Sequence, residues 1–482
     1  MNPALLTQMA PVIPLIGALL ILLTRGRPAL RNRIAVAAGV FLFACLFLLW
    51  LDFEPGEQPR IILFEMLPSI PLALQIEPLG LLFALTAAFL WPVTTFYAIG
   101  YLQAQNDPHQ TRFHTFFAIA IACAMGVAFA ANLLTLFLFY ELLTLSTWPL
   151  VVHSGSPQAK RSGTIYLATL LGTSILFFLL GIALVWAESG TLDFRRGGIL
   201  PATAATPLSI LLLLFLFGIG KAAIMPFHRW LPAAMVAPAP VSALLHAVAV
   251  VKAGVFSILK IGVYIIGTER IAFDGTNNLL IWIPAVTILL ASLIALRQDN
   301  LKARLAYSTI SQLSYIVLGA LLASRPGIIG GGLHITMHAF GKITLFFCAG
   351  AIMLTAGRSR VSELNGLGRS MPLTFSAFLI GALAISGLPP TGGFWSKWHL
   401  GLGTLDAEMW VLLAVLMISS LLSFGYLVSI PFRAFFLPPA VNAPGKEAAP
   451  LLVAAPLLTA AGCLLLFFYP DPVFELVREI VP

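Results

Sequence analysis

Long apolar runs recur from one end of this sequence to the other, and they constrain its fold more than any other feature. Fourteen runs are long enough to cross about 30 Å of hydrocarbon as helices. Because 59% of the residues are hydrophobic and only 10% are charged, a polar surface cannot cover the chain, and its main solvent must be lipid. We therefore predict an all-α, multi-pass membrane protein. The runs are 4–24, 34–51, 76–101, 113–131, 132–152, 163–187, 206–228, 238–267, 277–296, 305–323, 329–356, 372–400, 409–435 and 449–469.

The distribution of basic residues predicts the orientation of these segments. If the loops alternate between the two faces, sixteen of the 27 Lys and Arg residues fall on one face and six on the other. Loops rich in Lys and Arg stay in the cytoplasm, so we expect both termini on the outer side of a bacterial inner membrane. The net charge of +8 arises from these short loops rather than from a continuous patch, which argues against a nucleic-acid partner.

Two segments contain helix breakers at corresponding places. The seventh reads FLFGIGKAAIMPFHRWLP and the twelfth contains ISGLPPTGGFWSKW. Pro and Gly free backbone groups that hydrocarbon cannot satisfy, so each break should be buried in protein or face water. Because the breaks lie five segments apart, we predict two inverted five-helix repeats, of helices 4 to 8 and 9 to 13. The expected units are residues 1–111, 112–270, 271–437 and 438–482.

Ionisable residues lie inside several of the predicted spans. An ionised group at the bilayer centre costs about 2.5 to 3.5 kcal/mol, so several together need pairing, water or a neutral state. These residues are Glu141, Lys221, His246, Lys252, His334, His338, Lys342 and Lys397. Lys260 is a further candidate, although a lysine at its position can also extend toward lipid headgroups. His334 is likewise explained as a hydrogen-bonded core histidine.

The spacing of these residues suggests a path for protons. His334, His338 and Lys342 recur every four residues, which places them on one helix face. His246 and Lys252 are six apart, so they share a path only if their helix is bent or unwound, and the preceding APAPVSALL favours an irregular entrance. Approach of Glu141 would stabilise protonated Lys221, and separation would favour release of its proton.

The segments that carry these residues resemble the antiporter-like family found in respiratory complex I, membrane-bound hydrogenases and Mrp-type cation/proton antiporters. The segments are FYELLTLSTWPLVVH, GIGKAAIMPFHRWLPAAMVAPAPVSALLHAVAVVKAG, HAFGKITLFFCAGAI and GLPPTGGFWSK, and the resemblance extends from about residue 70 to 435. It implies fourteen helices, two inverted repeats with helices 7 and 12 broken, and a polar axis along the membrane. HAFGKITLFFCAGAI and VSELNGLGR are most similar to the D-type member of Mrp antiporters.

The resemblance also implies roles for individual residues. Glu141 matches the glutamate of helix 5, and Lys221 and Lys397 match the lysines of helices 7 and 12. His246, Lys252, His338 and Lys342 match connecting positions. One departure is Glu77-Pro78, where the family commonly has Asp-Gly. The chain also ends soon after the fourteenth segment, which favours the D-type over the larger A-type member.

We therefore expect a proton-translocating subunit of a multisubunit monovalent cation/proton antiporter, with other membrane subunits as partners and Na⁺ or K⁺ as the exchanged ion. The alternatives are a pumping subunit of a redox-driven complex, a partner in carbon dioxide or bicarbonate uptake, and a non-conducting scaffold. The four cysteines lie far apart without Cys/His ligand spacing, and no glycine-rich phosphate loop is present. We thus expect no cofactor, no metal site and no enzymatic activity of the chain itself.

Overall fold

The computed structural model describes residues 3–54, 56, 59–273, 277–439 and 446–480, with the side chains of all of these except 245, 246, 273, 277 and 278. Within these ranges the protein is a helical bundle with one small hairpin. The α-helices are α1 (Pro3–Leu23), α2 (Pro28–Leu51), α3 (Pro78–Ala104), α4 (Gln110–Ala128), α5 (Leu133–Val151), α6 (Pro157–Thr173), α7 (Leu179–Ser189), α8 (Leu208–Gly218), α9 (Trp230–Ala233), α10 (Ala239–Ala243), α11 (Val250–Ile261), α12 (Thr268–Phe273), α13 (Asn277–Leu280), α14 (Trp282–Arg297), α15 (Leu301–Leu322), α16 (Arg325–Ala356), α17 (Pro372–Ser386), α18 (Gly393–Asp406), α19 (Trp410–Phe436), α20 (Pro450–Phe468) and α21 (Asp471–Arg478). The strands are β1 (Ile61–Leu67) and β2 (Ile70–Leu74).

The helices confirm the predicted set of membrane segments. Ten helical spans in the described residues are long and apolar enough to cross a bilayer, counting α6 and α7 with the π-helical turn between them as one. The other four segments are shorter or interrupted: α8, the pair α10 and α11, α14, and the pair α17 and α18. Large apolar side chains on the bundle exterior, such as Leu176 and Leu421, are well exposed, as expected of helix faces that contact lipid.

Both predicted helix breaks are present. The seventh segment stops being α-helical at Gly218 and continues as a short 3₁₀ turn, Gly220–Ala222. The twelfth segment is divided into α17 and α18 by a non-helical stretch at 387–392. Corresponding breaks five segments apart fit two five-helix units of opposite orientation in the membrane. The residue boundaries expected for these units stay a prediction.

The eighth segment has the irregular entrance expected from APAPVSALL. The short helix α10 leads into a π-helical turn, Leu244–Val248, and Ala249 leaves regular helical geometry before α11 begins. A second π-helical turn, Gly262–Ile266, ends the segment. The lysine at 252 therefore follows an interruption rather than lying in a continuous helix with residue 246.

The hairpin of β1 and β2 was not predicted from the sequence. Its strands pair antiparallel, and Leu74 forms a further bridge to Ala130 in the connection between α4 and α5. The Asn132 amide donates a hydrogen bond of 2.8 Å to the Pro71 carbonyl. The hairpin is thus attached to the ends of α4 and α5 and lines one face of the bundle.

Close packing of α11 against the break in the seventh segment positions Lys221. A Cβ atom added to Gly254 would lie 2.5 Å from the Lys221 carbonyl carbon and 2.8 Å from its Cβ, and it would also contact the Ala222 nitrogen. These contacts are too short for any side chain larger than hydrogen. Only glycine at 254 therefore allows α11 to touch the turn that carries Lys221.

We predict that Gly254→Ala destabilises the protein by about 1–3 kcal/mol, because the added methyl group displaces backbone rather than a flexible side chain. Gly262→Ala is the matched control on the same segment, since a Cβ there has its nearest neighbour at 3.7 Å, on Ile271. Thermal unfolding of the detergent-solubilised protein measures both. Equal melting temperatures for the two variants would contradict this interpretation of the packing.

Candidate functional site

Eight of the nine candidate side chains are described, and all eight lie within the helix bundle. Lys221, Lys252, Lys260 and Lys342 are fully buried, and His334 and His338 are 1% exposed. Glu141 and Lys397 are partly buried. The side chain of His246 lies outside the described residues. This concentration of ionisable groups in a lipid-facing bundle requires that each charge be bound by protein atoms or water.

The first broken segment binds Lys221 to α5. The Lys221 ammonium donates to the Tyr140 carbonyl at 2.8 Å and to the Thr144 hydroxyl at 2.5 Å, and it lies 3.2 Å from the centre of the Tyr140 ring. The break leaves backbone groups unpaired, and side chains satisfy them: Tyr140 accepts from the Lys221 amide at 3.1 Å, and the Trp230 indole donates to the Gly220 carbonyl at 2.9 Å. The buried break therefore needs no solvent for these groups.

Glu141 lies one residue after Tyr140 on α5 but forms no ion pair with Lys221 within 4 Å. Both of its carboxylate oxygens are shielded from solvent and have no hydrogen-bond partner among the described residues. Lys221 and Ser174 are its polar neighbours. The neighbouring α5 residues Leu142, Leu145 and Trp148 are exposed, so Glu141 lies near the edge of the bundle. The Glu141–Lys221 pair is open in this structure.

A short hydrogen bond joins the two halves of the molecule. Lys252 Nζ on α11 lies 2.6 Å from His338 Nδ1 on α16. The same geometry serves a lysine ammonium that donates to the imidazole and an imidazole N–H that donates to a neutral amine. A proton can therefore reside on either partner without movement of the heavy atoms.

The three residues spaced by four on α16 point to three different helices. His338 meets Lys252 on α11, His334 Nδ1 lies 2.8 Å from the Ser396 hydroxyl on α18, and the Lys342 ammonium donates to the Ser308 hydroxyl on α15 at 2.6 Å. The His334 and His338 ring centres are 5.5 Å apart. The predicted stripe on one face is present, and it forms a junction between neighbouring helices.

Hydroxyl groups connect Lys342 to α19. The Ser308 hydroxyl that binds Lys342 also accepts from the Tyr426 hydroxyl at 3.0 Å, and Tyr426 lies 3.0 Å from Ser423. One turn earlier on α19, Ser420 accepts from the Lys397 ammonium at 3.0 Å. Helix α19 thus presents hydroxyls to both lysines of the second repeat.

Lys397 lies next to the second helix break. Its ammonium also donates to the Ser386 carbonyl at 3.3 Å, at the end of α17, and lies 4.9 Å from the Tyr315 ring centre. Gly387 has φ +80°, and a Cβ there would meet the Lys397 side chain at 2.5 Å. The break therefore supplies a free carbonyl and the space for the lysine, as the first break does for Lys221.

Direct contact between Lys221 and Lys252 is not formed within the described residues. The two lysines lie on elements that touch at Gly254, yet each binds other partners. His246, the expected connection, is the residue whose side chain is outside the description. The link between these two lysines stays a prediction.

Lys260 differs from the headgroup-directed lysine considered from the sequence. It is fully buried and forms an ion pair with Glu77, with Nζ 3.2 Å from Oε1. It also donates to the Ala130 carbonyl at 3.0 Å. Glu77 in turn caps α3 by accepting from the Leu79 and Gly80 amides at 2.9 and 2.7 Å. The Glu77-Pro78 departure from the family pattern is therefore a helix cap with a buried lysine attached to it.

Sequence reasoning missed the hydroxyl and amide groups of the site. These are Tyr140, Thr144, Ser308, Gln312, Tyr315, Ser396, Ser420, Ser423 and Tyr426. Spacing could have indicated some of them, since Ser419, Ser423 and Tyr426 recur at intervals of four and three in the otherwise apolar α19. Their assignment to particular lysines depends on neighbouring helices and could not be read from spacing.

No group of three or more His, Cys, Asp or Glu residues in the described part of the chain is arranged to hold a metal ion. Cys45, Cys123, Cys348 and Cys463 are buried and unpaired with one another. The polar groups of the site are thus mainly lysines, imidazoles and hydroxyls, which exchange protons or relay them through hydrogen bonds.

Comparison with solved structures relates this fold to two membrane complexes. A chain of the Mrp complex from Dietzia sp. DQ12-45-1b superposes with a TM-score of 0.86, at 21% identity over 99% of this chain and 96% of that one. A chain of the membrane-bound sulfane sulfur reductase, an archaeal respiratory membrane complex, gives a TM-score of 0.85 at 24% identity over 98% and 96%. At these identities the likeness shows the fold.

Sequence relatives come from several kinds of complex. NADH-quinone oxidoreductase subunit N of Desulforudis audaxviator is 34% identical over 91% of this chain and 87% of that protein. The F(420)H(2) dehydrogenase subunit N of Methanosarcina mazei is 28% identical over 98% of this chain and 97% of its own. The A/B component of the probable K(+)/H(+) antiporter of Rhizobium meliloti is 31% identical over 76% of this chain, which spans 37% of that longer protein.

The family described as NADH:quinone oxidoreductase/Mrp antiporter, TM, matches residues 130–423, which contain both helix breaks and every candidate residue. That match covers more than half of the chain, and it agrees with the identity to subunit N. This chain therefore belongs to the family of membrane subunits shared by NADH:quinone oxidoreductases and Mrp antiporters.

Proposed function

We propose that this chain moves protons along its buried polar residues as a subunit of a multisubunit monovalent cation/proton antiporter. The observation that carries the proposal is the hydrogen bond between Lys252 and His338, because it joins a titratable group of the first repeat to one of the second. Imidazole and amine groups in contact pass protons readily. The proposed order is Glu141 and Lys221, then His246 or Lys252, then His338 and Lys342, then Lys397.

The open Glu141–Lys221 pair supports a switch at the start of this path. Lys221 is held by a carbonyl and a hydroxyl of α5, while the Glu141 carboxylate has no hydrogen-bond partner among the described residues. Approach of the carboxylate would hold the proton on Lys221, and withdrawal would release it toward α11. Glu141 lies near the exposed edge of α5, where a partner subunit could change its position.

Unpartnered buried polar atoms support hydration of the path. Gln312 has neither amide atom bonded within the described residues, and the same holds for His334 Nε2. Leaving such groups unbonded costs about 1–3 kcal/mol each, whereas bound water satisfies them. We infer that water connects Gln312 and His334 to the neighbouring lysines and carries protons across gaps too long for direct transfer.

The branch at α16 gives the path two connections to Lys397. One runs from Lys342 through the hydroxyls of Ser308 and Tyr426 toward α19, and the other from His334 to Ser396, the residue before Lys397. A proton on one of these groups repels a proton on the next, so arrival at one end favours departure at the other. This coupling is the physical basis we propose for directed movement.

The orientation of the protein is part of the proposal. The loops 297–301 and 357–371 meet through Asp299 and Ser362, at 2.8 Å, whereas the 190–207 connection meets the C-terminal helix through Arg196 and Glu479, at 3.8 Å. These contacts support the alternating loop assignment. We place the first face in the cytoplasm and the second, with the hairpin and both termini, outside a bacterial inner membrane.

A second candidate is the proton-pumping subunit of a redox-driven complex. The identity of 34% to NADH-quinone oxidoreductase subunit N favours it, while the K(+)/H(+) antiporter relative favours antiport. In vesicles that contain the whole native complex, antiport predicts pH changes on addition of Na⁺ or K⁺. A redox pump predicts pH changes on addition of an electron donor and acceptor, and no response to the cation.

We predict that Glu141→Gln and Lys221→Met each lower the rate of proton transport in everted vesicles on the order of a hundred-fold, because each removes a group that accepts and donates the transported proton. Glu188→Gln is the matched control, since this carboxylate binds Ala205 and Thr206 in the 190–207 connection, away from the path. Transport near the wild-type rate in both Glu141→Gln and Lys221→Met would refute the proposed switch.

Ser420→Ala should slow proton transport several-fold, because it removes the hydroxyl bound to Lys397 while leaving every titratable group in place. Ser314→Ala is the control, since the Ser314 hydroxyl is buried but bonds only the Ile310 carbonyl of its own helix. Both variants are measured in everted vesicles at matched protein levels. An equal effect of the two substitutions would argue against a role of the α19 hydroxyls in the path.

A further inference from the structure

We propose that Lys260 and Glu77 form a second proton-exchange site, through which protons pass between the buried axis and an open cavity on the face of the hairpin. The inference rests on the proposed function, since it gives the same protons another exit. It concerns a buried charge that the path from Lys221 to Lys397 does not use. The cavity, the ion pair and the aromatic residues on its inner side each support it.

The cavity adjoins the ion pair directly. It has a volume of about 720 Å³, and its lining includes Arg60, Glu77, Asp193, Arg195, Lys260 and Tyr264. The Lys260 side chain is fully buried, whereas that of Glu77 is 16% exposed. Glu77 therefore stands between a lysine without solvent contact and a space large enough for many water molecules.

Hydrogen bonds hold Glu77 in this position. Besides the α3 amides and Lys260, its carboxylate accepts from the Tyr264 hydroxyl at 3.1 Å. Lys260 also has two backbone acceptors, the carbonyls of Ala128 and Ala130 at 3.4 and 3.0 Å. These carbonyls keep the lysine next to the carboxylate while leaving Nζ free to gain or lose a proton.

Aromatic rings separate Lys260 from the interior. Lys260 Nζ lies 5.3 Å from the Phe256 ring centre, and Phe256 packs against Phe83 with ring centres 5.1 Å apart. Lys252 and Lys260 are eight residues apart on α11, about 12 Å along the helix axis. In this structure the site is thus open toward the cavity and closed toward Lys252, so passage of a proton requires these rings to move or water to enter beside them.

The proton balance of the proposed step is simple. Protonated Lys260 gives a proton to the Glu77 carboxylate, which leaves a neutral amine and a neutral acid. The acid releases that proton to cavity water and returns to its charged form, and the amine takes a new proton from the axis. The reverse sequence takes a proton in. No other reactant is needed.

The charges of the cavity favour proton exchange over a metal-cation site. Asp193 forms two hydrogen bonds with Arg60, at 2.7 and 2.8 Å, and Glu77 is occupied by Lys260 and the α3 amides. Na⁺ or K⁺ would need these carboxylate oxygens as ligands and would be repelled by Arg195 and Arg196, which also line the cavity. A proton that hops through water and along an existing hydrogen bond needs no such ligand shell.

The decisive comparison is between Lys260→Arg and Lys260→Met in the complete complex in everted vesicles. Arginine keeps the positive charge and can pair with Glu77, but it does not give up a proton. We expect both variants to lower proton transport on the order of a hundred-fold, with the amount of assembled complex unchanged. If Lys260→Arg restores more than half of the wild-type rate, the pair is a structural ion pair and the proposal is wrong.

Two further variants cover the remaining outcomes. If Lys260→Arg does not assemble, Glu77→Gln decides, because it keeps an oxygen to cap α3 but cannot carry the proton; a rate above half of wild type overturns the proposal. Arg60→Gln breaks the other ion pair of the cavity and should leave transport within two-fold of wild type. A loss as large as that of Lys260→Arg would assign the defect to the shape of the cavity and overturn the proposal.

Lys221→Met, measured in parallel, separates this inference from the proposed function. If Lys221→Met retains transport, the main path is wrong whatever happens at Lys260. If Lys221→Met abolishes transport while Lys260→Arg retains it, only the second exchange site is refuted.

Discussion

Hydrocarbon cannot hydrogen-bond to a charged or polar group, and the arrangement of this protein follows from that constraint. Each described lysine in the bundle is held by a carbonyl or a hydroxyl, by an imidazole, or in one case by a carboxylate. Lys221 binds a helix carbonyl and a threonine, Lys252 an imidazole, and Lys342 a serine. Most of these partners are neutral, so the lysines are solvated without being fixed in ion pairs, and a group bound in this way can exchange its proton.

The helix breaks provide part of this solvation. At the first break, Trp230 and Tyr140 satisfy the freed backbone groups around Lys221. At the second, the Ser386 carbonyl, which α17 leaves unpaired at its end, binds Lys397. In both repeats an interrupted helix therefore brings a lysine to neutral acceptors inside the bundle. A continuous helix would use the same carbonyls for its own hydrogen bonds.

Lys260 shows how the same chemistry changes with its surroundings. It shares α11 with Lys252, but its partner is a carboxylate beside a cavity rather than an imidazole in the interior. A lysine paired with a charged group at an aqueous edge is suited to exchange with solvent, whereas one paired with a neutral imidazole is suited to transfer within the protein. This contrast is the reason for assigning the two lysines of one helix to different steps.

The sequence by itself determined the class of fold, the membrane segments, the two breaks and most ionisable residues of the site, because hydrophobic length, Pro and Gly, and isolated charges are local properties of a chain. It did not determine the hairpin, the junction at α16 or the hydroxyls of α19. The periodicity of α16 placed His334, His338 and Lys342 on one face but could not indicate that each meets a different helix. Nor could the position of Lys260 on α11 show that Glu77, nearly two hundred residues earlier, would meet it. Those pairings depend on distances between helices far apart in the chain, which only the packed tertiary structure decides.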